Sequence, residues 1–463
     1  MGWPVEDLLN GMRPMDIMLS KSVLITAAIC VKFNANDMQE GDLRMDIIQD
    51  LEKRGLIYQH TDLDALRERL SRGPITLYCG FDPTADSLHI GSLVPILTLR
   101  RFQLAGHQPI ALVGGGTGLI GDPSGRSTER TLNSREVVEE WSQKLRKQLE
   151  RFLDFDTKEN SALLVNNYDW LSALSAIEFL RDIGKSFSVN SMLAKESVSS
   201  RLEKGISFTE FSYMILQAYD FMKLHELYKC ELQIGGSDQW GNITAGTDLI
   251  RRNYGEKAEV HGLTLPLVTK SDGSKFGKTE SGAIWLDADK TSPYQFYQFW
   301  INTDDADVIR FMKYFTFLSL EEIDEYAALV ETEPEKREAQ RRLAEEVTTL
   351  VHGKEACERA VRISQALFRG DLKSLSADEI AEGFQDVPSA KIEGPEVPLV
   401  DALVQVGAAK SKREAREFIT NGAITVNDEK VTCLDTKAGE IPALDGKYLV
   451  IRRGKKKYYL CEV

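Results

Sequence analysis

The sequence predicts an α/β fold built on a parallel sheet, followed by a helical unit and a small basic unit. Three observations carry this. Apolar runs end in glycine at Ile75-Thr76-Leu77-Tyr78-Cys79-Gly80 and at Pro109-Ile110-Ala111-Leu112-Val113, with Gly114-Gly115-Gly116 after it. A helical stretch, Leu88 to Ala105, separates them. Strand, helix and strand at this spacing imply parallel strands with right-handed crossovers. The third observation is a change of composition: residues 304–370 read as helical and charged, and a Pro/Gly/Glu-rich stretch, Val387 to Pro398, precedes the tail.

In chain order, residues 1–44 stand apart. They hold five methionines and no clean periodicity, whereas Met45 opens the amphipathic Asp46-Ile47-Ile48-Gln49-Asp50-Leu51. Glu40-Gly41-Asp42-Leu43 can be encoded by a purine-rich, ribosome-binding-like stretch, so translation is expected to start at Met45, with a short targeting extension as the rival. Peptides from residues 1–44 in the native protein's mass spectrum would refute that start. Residues 45–264 are expected to form the sheet domain. Helices dominate from about 134 to 225, and Glu231-Leu232-Gln233-Ile234 is a further strand ending in Gly235-Gly236. Residues 265–386 are expected to hold a Gly-rich lysine loop, bracketed by strands Leu265–Thr269 and Ala283–Leu286, and then helices. Residues 387–397 read as a linker and 398–463 as the last unit.

Bulk properties narrow the class. A chain of 463 residues holds about two to four domains. The net charge of −14 excludes a wholly basic nucleic-acid sheath, but residues 398–463 carry 12 Lys/Arg against 9 Asp/Glu. A basic tail on an acidic body suits an RNA contact. Six cysteines without a CxxC pair argue against a zinc site or disulfide framework and fit a reducing compartment, the cytoplasm. No apolar run reaches the roughly 18 residues that span a bilayer.

The chemistry-bearing segments lie roughly 190 residues apart: His89-Ile90-Gly91-Ser92 and Lys275-Phe276-Gly277-Lys278-Thr279. His89 is placed in the first turn of its helix after a cap at Asp86 or Ser87. A helix start favours phosphate, and an imidazole there can donate to a phosphate oxygen. Pro95 inside that helix is expected to remove one hydrogen bond and bend the axis. Two lysines around a glycine suit a loop that closes on pyrophosphate. Together these point to activation of a carboxylate by ATP. Gly116-Thr117-Gly118-Leu119-Ile120-Gly121 is a literal dinucleotide fingerprint, but Asp122-Pro123-Ser124 follows where a helix should open, which disfavours that reading. Tyr213, Gln217 and Asp220 share one helix face and suggest a pocket wall. Gly236 and Asp238 stand at a strand end, where parallel sheets bind ligands.

From about Met45 onward the chain resembles the bacterial tyrosyl-tRNA synthetases, a class I family. The strings Tyr78-Cys79-Gly80-Phe81-Asp82-Pro83-Thr84, Gln233 to Trp240 and Lys275 to Thr279 carry the resemblance. It implies a Rossmann-like catalytic domain, an α-helical anticodon-binding domain and a small α+β S4-like RNA-binding domain, in a homodimer. It also implies ATP as substrate with Mg²⁺, no tightly bound metal or organic cofactor, and as partners L-tyrosine and tRNA(Tyr), with no membrane and no DNA. Residue by residue, Tyr78 and Asp220 resemble the pair on the tyrosine hydroxyl, and Tyr213, Gln217 and Asp122 the ammonium site, with Gln233 and Gln239 lining the pocket. Asp82, Thr84 and Ser92 resemble ATP-site positions, and Gly236 and Asp238 the ribose site. His89, Lys275, Lys278 and Thr279 resemble the catalytic set. Arg126 and Arg130 match basic positions near pyrophosphate, while Lys412, Arg413 and Arg416 fit RNA contacts. The family's first signature usually ends in His, where this chain has Ser92. A catalytically silent RNA-binding scaffold and a tryptophan-activating relative are the rival readings.

Overall fold

Ile47, Ile48 and Leu51 recur at helical spacing, and helix α1 (Ile47–Arg54) buries all three. The computed structural model describes residues 46–463 apart from 126, 127, 129, 204, 274, 275, 280, 281, 455 and 456, and of 278 and 279 it describes the backbone. The expectation for residues 1–44 therefore lies outside the described residues, as do Arg126 and Lys275. After α1 come β1 (Gln59–His60), α2 (Leu63–Ser71), β2 (Thr76–Phe81), α3 (Leu93–Leu104), β3 (Gln108–Val113), α4 (Arg135–Leu149) and β4 (Leu163–Asn166). Short helical turns then lead to α5 (Phe208–Tyr228), β5 (Cys230–Gly236), α6 (Trp240–Tyr254) and β6 (His261–Leu265).

These strands form one sheet in the order β1-β6-β5-β2-β3-β4. Neighbours run parallel except β1, which pairs antiparallel with β6. The chain moves outward from β2 through β3 to β4, then returns to β5 on the other side of β2. The order reverses between β2 and β5, and a parallel sheet opens its ligand crevice at the carboxyl ends of such a pair.

Several expectations shift. Strand β4 falls inside the stretch expected to be helical; four residues are too few to stand out from helical periodicity. Strand β6 meets the expected Leu265–Thr269 only at Leu265, because His261, Gly262 and Thr264 break the apolar run although burial completes it. Pro95 does not kink a helix interior. The α-helix begins at Leu93, so Pro95 occupies its third position, where the missing N–H had no intrahelical acceptor to lose.

Beyond the sheet, β7 (Lys278–Thr279) and β8 (Gly282–Ala283) form a small antiparallel pair. Helices follow: α7 (Pro293–Ile301), α8 (Asp305–Phe315), α9 (Leu320–Thr332), α10 (Glu338–His352), α11 (Lys354–Arg369) and α12 (Ala377–Gly383). Trp300, Phe296, Phe311 and Phe315 are fully buried or nearly so, in one apolar core shared with β2 and α3. The last unit comprises β9 (Ser389–Lys391), α13 (Leu399–Gln405), α14 (Lys412–Thr420), β10 (Ile424–Val426), β11 (Glu429–Lys430), β12 (Tyr448–Arg453) and β13 (Lys457–Glu462), with its own core. Its sheet runs β11-β10-β12-β13-β9. Strand β9 lies within the stretch that reads as a linker and pairs parallel with β13. An edge strand needs only backbone groups, so Ser-Ala-Lys carries no strand signal. Among the described residues no helix is long and apolar enough to cross a membrane.

Candidate active site

Strand register places Tyr78 of β2 directly beside Gln233 of β5, so their side chains share one face of the sheet. Tyr78 is 1% exposed and Gln233 2%. The Tyr78 hydroxyl and the Gln233 Oε1 are buried without a hydrogen-bond partner. Each such atom costs about 1–3 kcal/mol, which a ligand with a polar end would relieve. Phe221 of α5 packs 5.3 Å from the Tyr78 ring. A Cβ at Gly246 of α6 would lie 3.0 Å from Phe221 and 3.4 Å from Gln233 Oε1, so glycine lets α6 close over this floor.

Helix α5 lowers Asp220 into the same region. Its Oδ2 accepts from Asn167 Nδ2 at 2.8 Å and its Oδ1 from Trp170 Nε1 at 2.7 Å. Burial pushes the carboxyl up to about 8, against the pull of those two bonds. Asn167 Nδ2 also reaches Thr117 Oγ1 (2.9 Å), which donates to Asp82 Oδ1 at 2.7 Å. Tyr213 donates its hydroxyl hydrogen to Asp82 Oδ2 at 2.7 Å, and burial lifts Asp82 to about 6. Gly114 is obligatory, since a Cβ there would fall 1.9 Å from Asp82 Oδ1. Asn167, Trp170 and Thr117 were not among the site residues expected from the sequence. The signal that could have found the first two is the Asn166-Asn167 pair at the end of the unrecognised β4.

A second network centres on Asn242 of α6, also unforeseen. Its Nδ2 donates to Gln217 Oε1 (3.0 Å) and Gln239 Oε1 (3.1 Å), and Gln239 Nε2 donates to Asp122 Oδ2 at 2.7 Å. Asp122 Oδ1 accepts from Ser124 N, and Arg130 Nε donates to the Asp122 carbonyl at 3.0 Å. The Arg130 amide is held by Glu210 Oε1 at 3.0 Å, and Glu210 pairs with Arg201 at 2.8 Å in full burial. Asp238, just past β5, is raised by burial and then by the charge of Asp122. A Cβ at Gly236 would sit 2.6 Å from Asp238 Oδ1.

The His89 segment departs from expectation. His89 is itself the cap: its Nδ1 accepts from Gly91 N at 3.0 Å at the head of a 3-10 turn, Ile90–Ser92. A neutral ring then carries its hydrogen on Nε2, the donor a phosphate requires. Asp86 instead pairs with Lys290 at 2.7 Å, and Ser87 bonds Leu88 O and Gln148, so neither caps the turn. Ser92 precedes α3 without a side-chain cap bond, and Thr84 is exposed.

Backbone pairing joins this segment to the chain after the lysine loop. Ile90 N donates to Ile284 O, Leu286 N to Leu88 O, and Ile284 N to Gly277 O, at 2.9–3.0 Å. Gly277 adopts φ +73°, and a Cβ there would lie 2.4 Å from Ile90 Cγ2; only glycine fits. Lys278 and Thr279 pair through their backbones with Ala283 and Gly282. Among the described residues the structure thus joins Asp82 with Tyr213 and Asp220, joins Asp122 with Gln217 and Gln239, and sets Tyr78 beside Gln233, while Lys412, Arg413 and Arg416 lie on exposed turns of α14 in the last unit. Among the described residues no group of three or more His, Cys, Asp or Glu converges as an ion site.

Comparison with known proteins decides what this geometry belongs to. Residues 70–369 match the family model of the class I tRNA synthetases (W and Y), and residues 379–461 match a tyrosine–tRNA ligase C-terminal domain. The chain belongs to the tyrosine–tRNA ligase family of class I tRNA synthetases. The tyrosine–tRNA ligase of Desulfitobacterium hafniense is 64% identical over 90% of this chain and 100% of its own length. Tyrosine–tRNA ligase 1 of Bacillus subtilis is 62% identical over 90% of this chain and 99% of its own. Among solved structures, a C-terminally truncated Aspergillus nidulans mitochondrial tyrosyl-tRNA synthetase shares the fold with TM-score 0.63 and 31% identity, covering 72% of this chain and 97% of that one. In this class I synthetase the reversal between β2 and β5 is where a parallel sheet opens to ligands.

Proposed function

We propose that the described site performs the two steps of a tyrosine–tRNA ligase. L-tyrosine is activated by ATP to tyrosyl-adenylate and pyrophosphate, and tyrosine passes to the 3′ end of tRNA(Tyr). The chain is an ATP-dependent aminoacyl-tRNA ligase; the residue roles are our assignment. The observation that carries them is the unsatisfied pair, Tyr78 Oη and Gln233 Oε1, beside Asp220. A phenol hydroxyl can donate to Asp220 and accept from Tyr78. Phenylalanine would leave those groups buried and unpaired, and an indole would set its N–H in a different place.

Gln217 and Asp122, tied through Asn242 and Gln239, and Tyr213, bonded to Asp82, are assigned to the ammonium group, with Gln239 and Gln233 as pocket walls. The carboxylate is ionised at neutral pH and needs no general base, so catalysis rests on positioning and on stabilising phosphate charge. Asp82, Thr84 and Ser92 are assigned to ATP, and Gly236 and Asp238 to its ribose. His89 Nε2, Lys275, Lys278 and Thr279 are assigned to the phosphates in the transition state, with Arg126 and Arg130 on the pyrophosphate side. Serine at 92 can hydrogen-bond but adds no charge. Asp82 and Asp122 have both oxygens engaged by protein donors, which suits a Mg²⁺ that arrives on ATP phosphates and keeps its waters.

We assign residues 45–264 to the catalytic domain, 265–386 to the lysine loop and anticodon-binding helices, and 398–463 to an S4-like RNA-binding domain, with β9 of the connecting stretch added to its sheet. Exposed Ile177, Leu180, Val189, Leu202 and Phe208 support a homodimer, and the free thiols of Cys79, Cys230, Cys357, Cys433 and Cys461 suit the cytoplasm. Amino-acid-dependent ATP–pyrophosphate exchange with tyrosine, phenylalanine and tryptophan in parallel tests the reading. Exchange with tyrosine alone is expected; exchange with none, from folded protein, would return the chain to the RNA-binding reading.

A further inference from the structure

Asp307 stands at the third position of α8, behind the cap residue Asp304. An acidic side chain there ordinarily reaches back to the cap's own N–H. Here α8 has no side-chain cap bond, and the carboxylate turns to the chain ahead of the lysine loop. Oδ1 and Oδ2 accept from Ser271 N at 3.1 and 2.9 Å, and Oδ2 accepts from Ser271 Oγ at 3.1 Å. Asp307 is 1% exposed. Arg310, one turn on, pairs with Asp307 and donates to Thr269 O at 2.6 Å. The carboxylate and its partner therefore grip the backbone on both sides of Lys270.

Ser271 lies four residues before Lys275, and Phe276 follows it. Phe276 sits among Phe299 and Trp300 of α7 and Phe311 and Phe315 of α8, with ring centroids 5.0–5.8 Å away. Ser271 and Phe276 are thus two moorings of this loop, both on the helical layer. Helix α8 is already seated by Val308, Phe311, Met312 and Phe315. Burying a carboxylate costs desolvation unless its bonds offset it, and those bonds go to an exposed loop.

We propose that Asp307 is a positioning residue of the activation step, holding through Ser271 the chain that enters the lysine loop. This rests on the tyrosine-activating function above. The experiment measures ATP–pyrophosphate exchange, equilibrium tyrosine binding and thermal unfolding for the full chain and for Asp307→Asn, Asp307→Glu, Ser271→Ala and the double variant Asp307→Asn/Ser271→Ala. Asp307→Asn is expected to lower kcat about tenfold, the scale of a lost charged hydrogen bond, with tyrosine affinity unchanged and partial recovery in Asp307→Glu. The two substitutions should be non-additive in kcat. Unchanged kcat in Asp307→Asn, or a fall matched by equal loss of tyrosine binding in a chain that melts early, would overturn the positioning role. Ser271→Ala leaves the helical core untouched, so additive kcat effects in the double variant would overturn it even if Asp307→Asn folds poorly. An unsubstituted chain that fails to exchange with tyrosine would refute the function itself, and this inference with it.

Discussion

At Asp220 a carboxylate is buried, bonded on both oxygens by Asn167 and Trp170, and pushed up to about 8. Among the described residues of the lysine loop the held points are Ser271 on Asp307, Phe276 in its cluster of rings, Gly277 against Ile90 and on Ile284 N, and the backbone pairing of Lys278 and Thr279 with Ala283 and Gly282. The pocket floor is thus a network whose members constrain one another through β2, β3, β4 and α5. The described part of the loop is tied instead to separate elements, the turn before α3 and the helices α7 and α8. The difference suits the task proposed for each region. Selecting a side chain demands buried groups that stay put whether or not a ligand is present. Stabilising a departing pyrophosphate demands charges brought to one place during the reaction. The two regions should therefore fail in different parameters.

The largest separation is expected from Asp220→Ala. Loss of the phenol acceptor, with Asn167 and Trp170 left unpaired, should lower kcat/KM for tyrosine by about 2–4 kcal/mol. Native-like thermal unfolding should accompany it, and full tyrosine kinetics in this variant would refute the pocket. Next is Gly277→Ala, where positive φ and contact with Ile90 combine. Such strain costs about 1–3 kcal/mol, so kcat for exchange should fall tenfold or more while tyrosine binding, followed by calorimetry, stays intact. Weaker tyrosine binding would break the division between the regions. Thr117→Val cuts the link between Asp82 and Asn167 and should cost about 1 kcal/mol in kcat/KM. A loss greater than that of Asp220→Ala would reverse the ranking inside the network.

The smallest effect is read in pH. Burial raises Asp220 and Asp82 above their unfolded values, so the folded chain holds protons that the unfolded chain has released. Their contribution to stability is fully present at acid pH. It declines as pH rises, through about 6 for Asp82 and about 8 for Asp220. Unfolding midpoints from pH 4 to 9 should show a shallower decline in Asp220→Asn than in the parent, and parallel curves would remove Asp220 from the account.

Legibility followed the same division. The glycine-ended strands at 75–80 and 109–113, the helix face of Tyr213, Gln217 and Asp220, and the two chemistry-bearing segments all stood out, because each is local. Strand β4, and with it Asn167 and Trp170, did not, because four residues of an edge strand carry no period. The cap at His89 was misassigned to Asp86 or Ser87. Nothing local says that Lys290, about 200 residues on, takes Asp86, or that Gln148 takes Ser87. Pro95 read as a kink because the 3-10 turn that delays the α-helix depends on pairing with Ile284.

The sequence by itself determined the α/β class and pointed to the residue types proposed for the site, since periodicity and turn chemistry act over a few residues. Tertiary structure alone decided which polar groups are left unsatisfied, which carboxylates burial raises and which element holds the loop. Those depend on burial and on partners distant in the chain: Tyr78 beside Gln233, Asp220 against Asn167, Ser271 on Asp307.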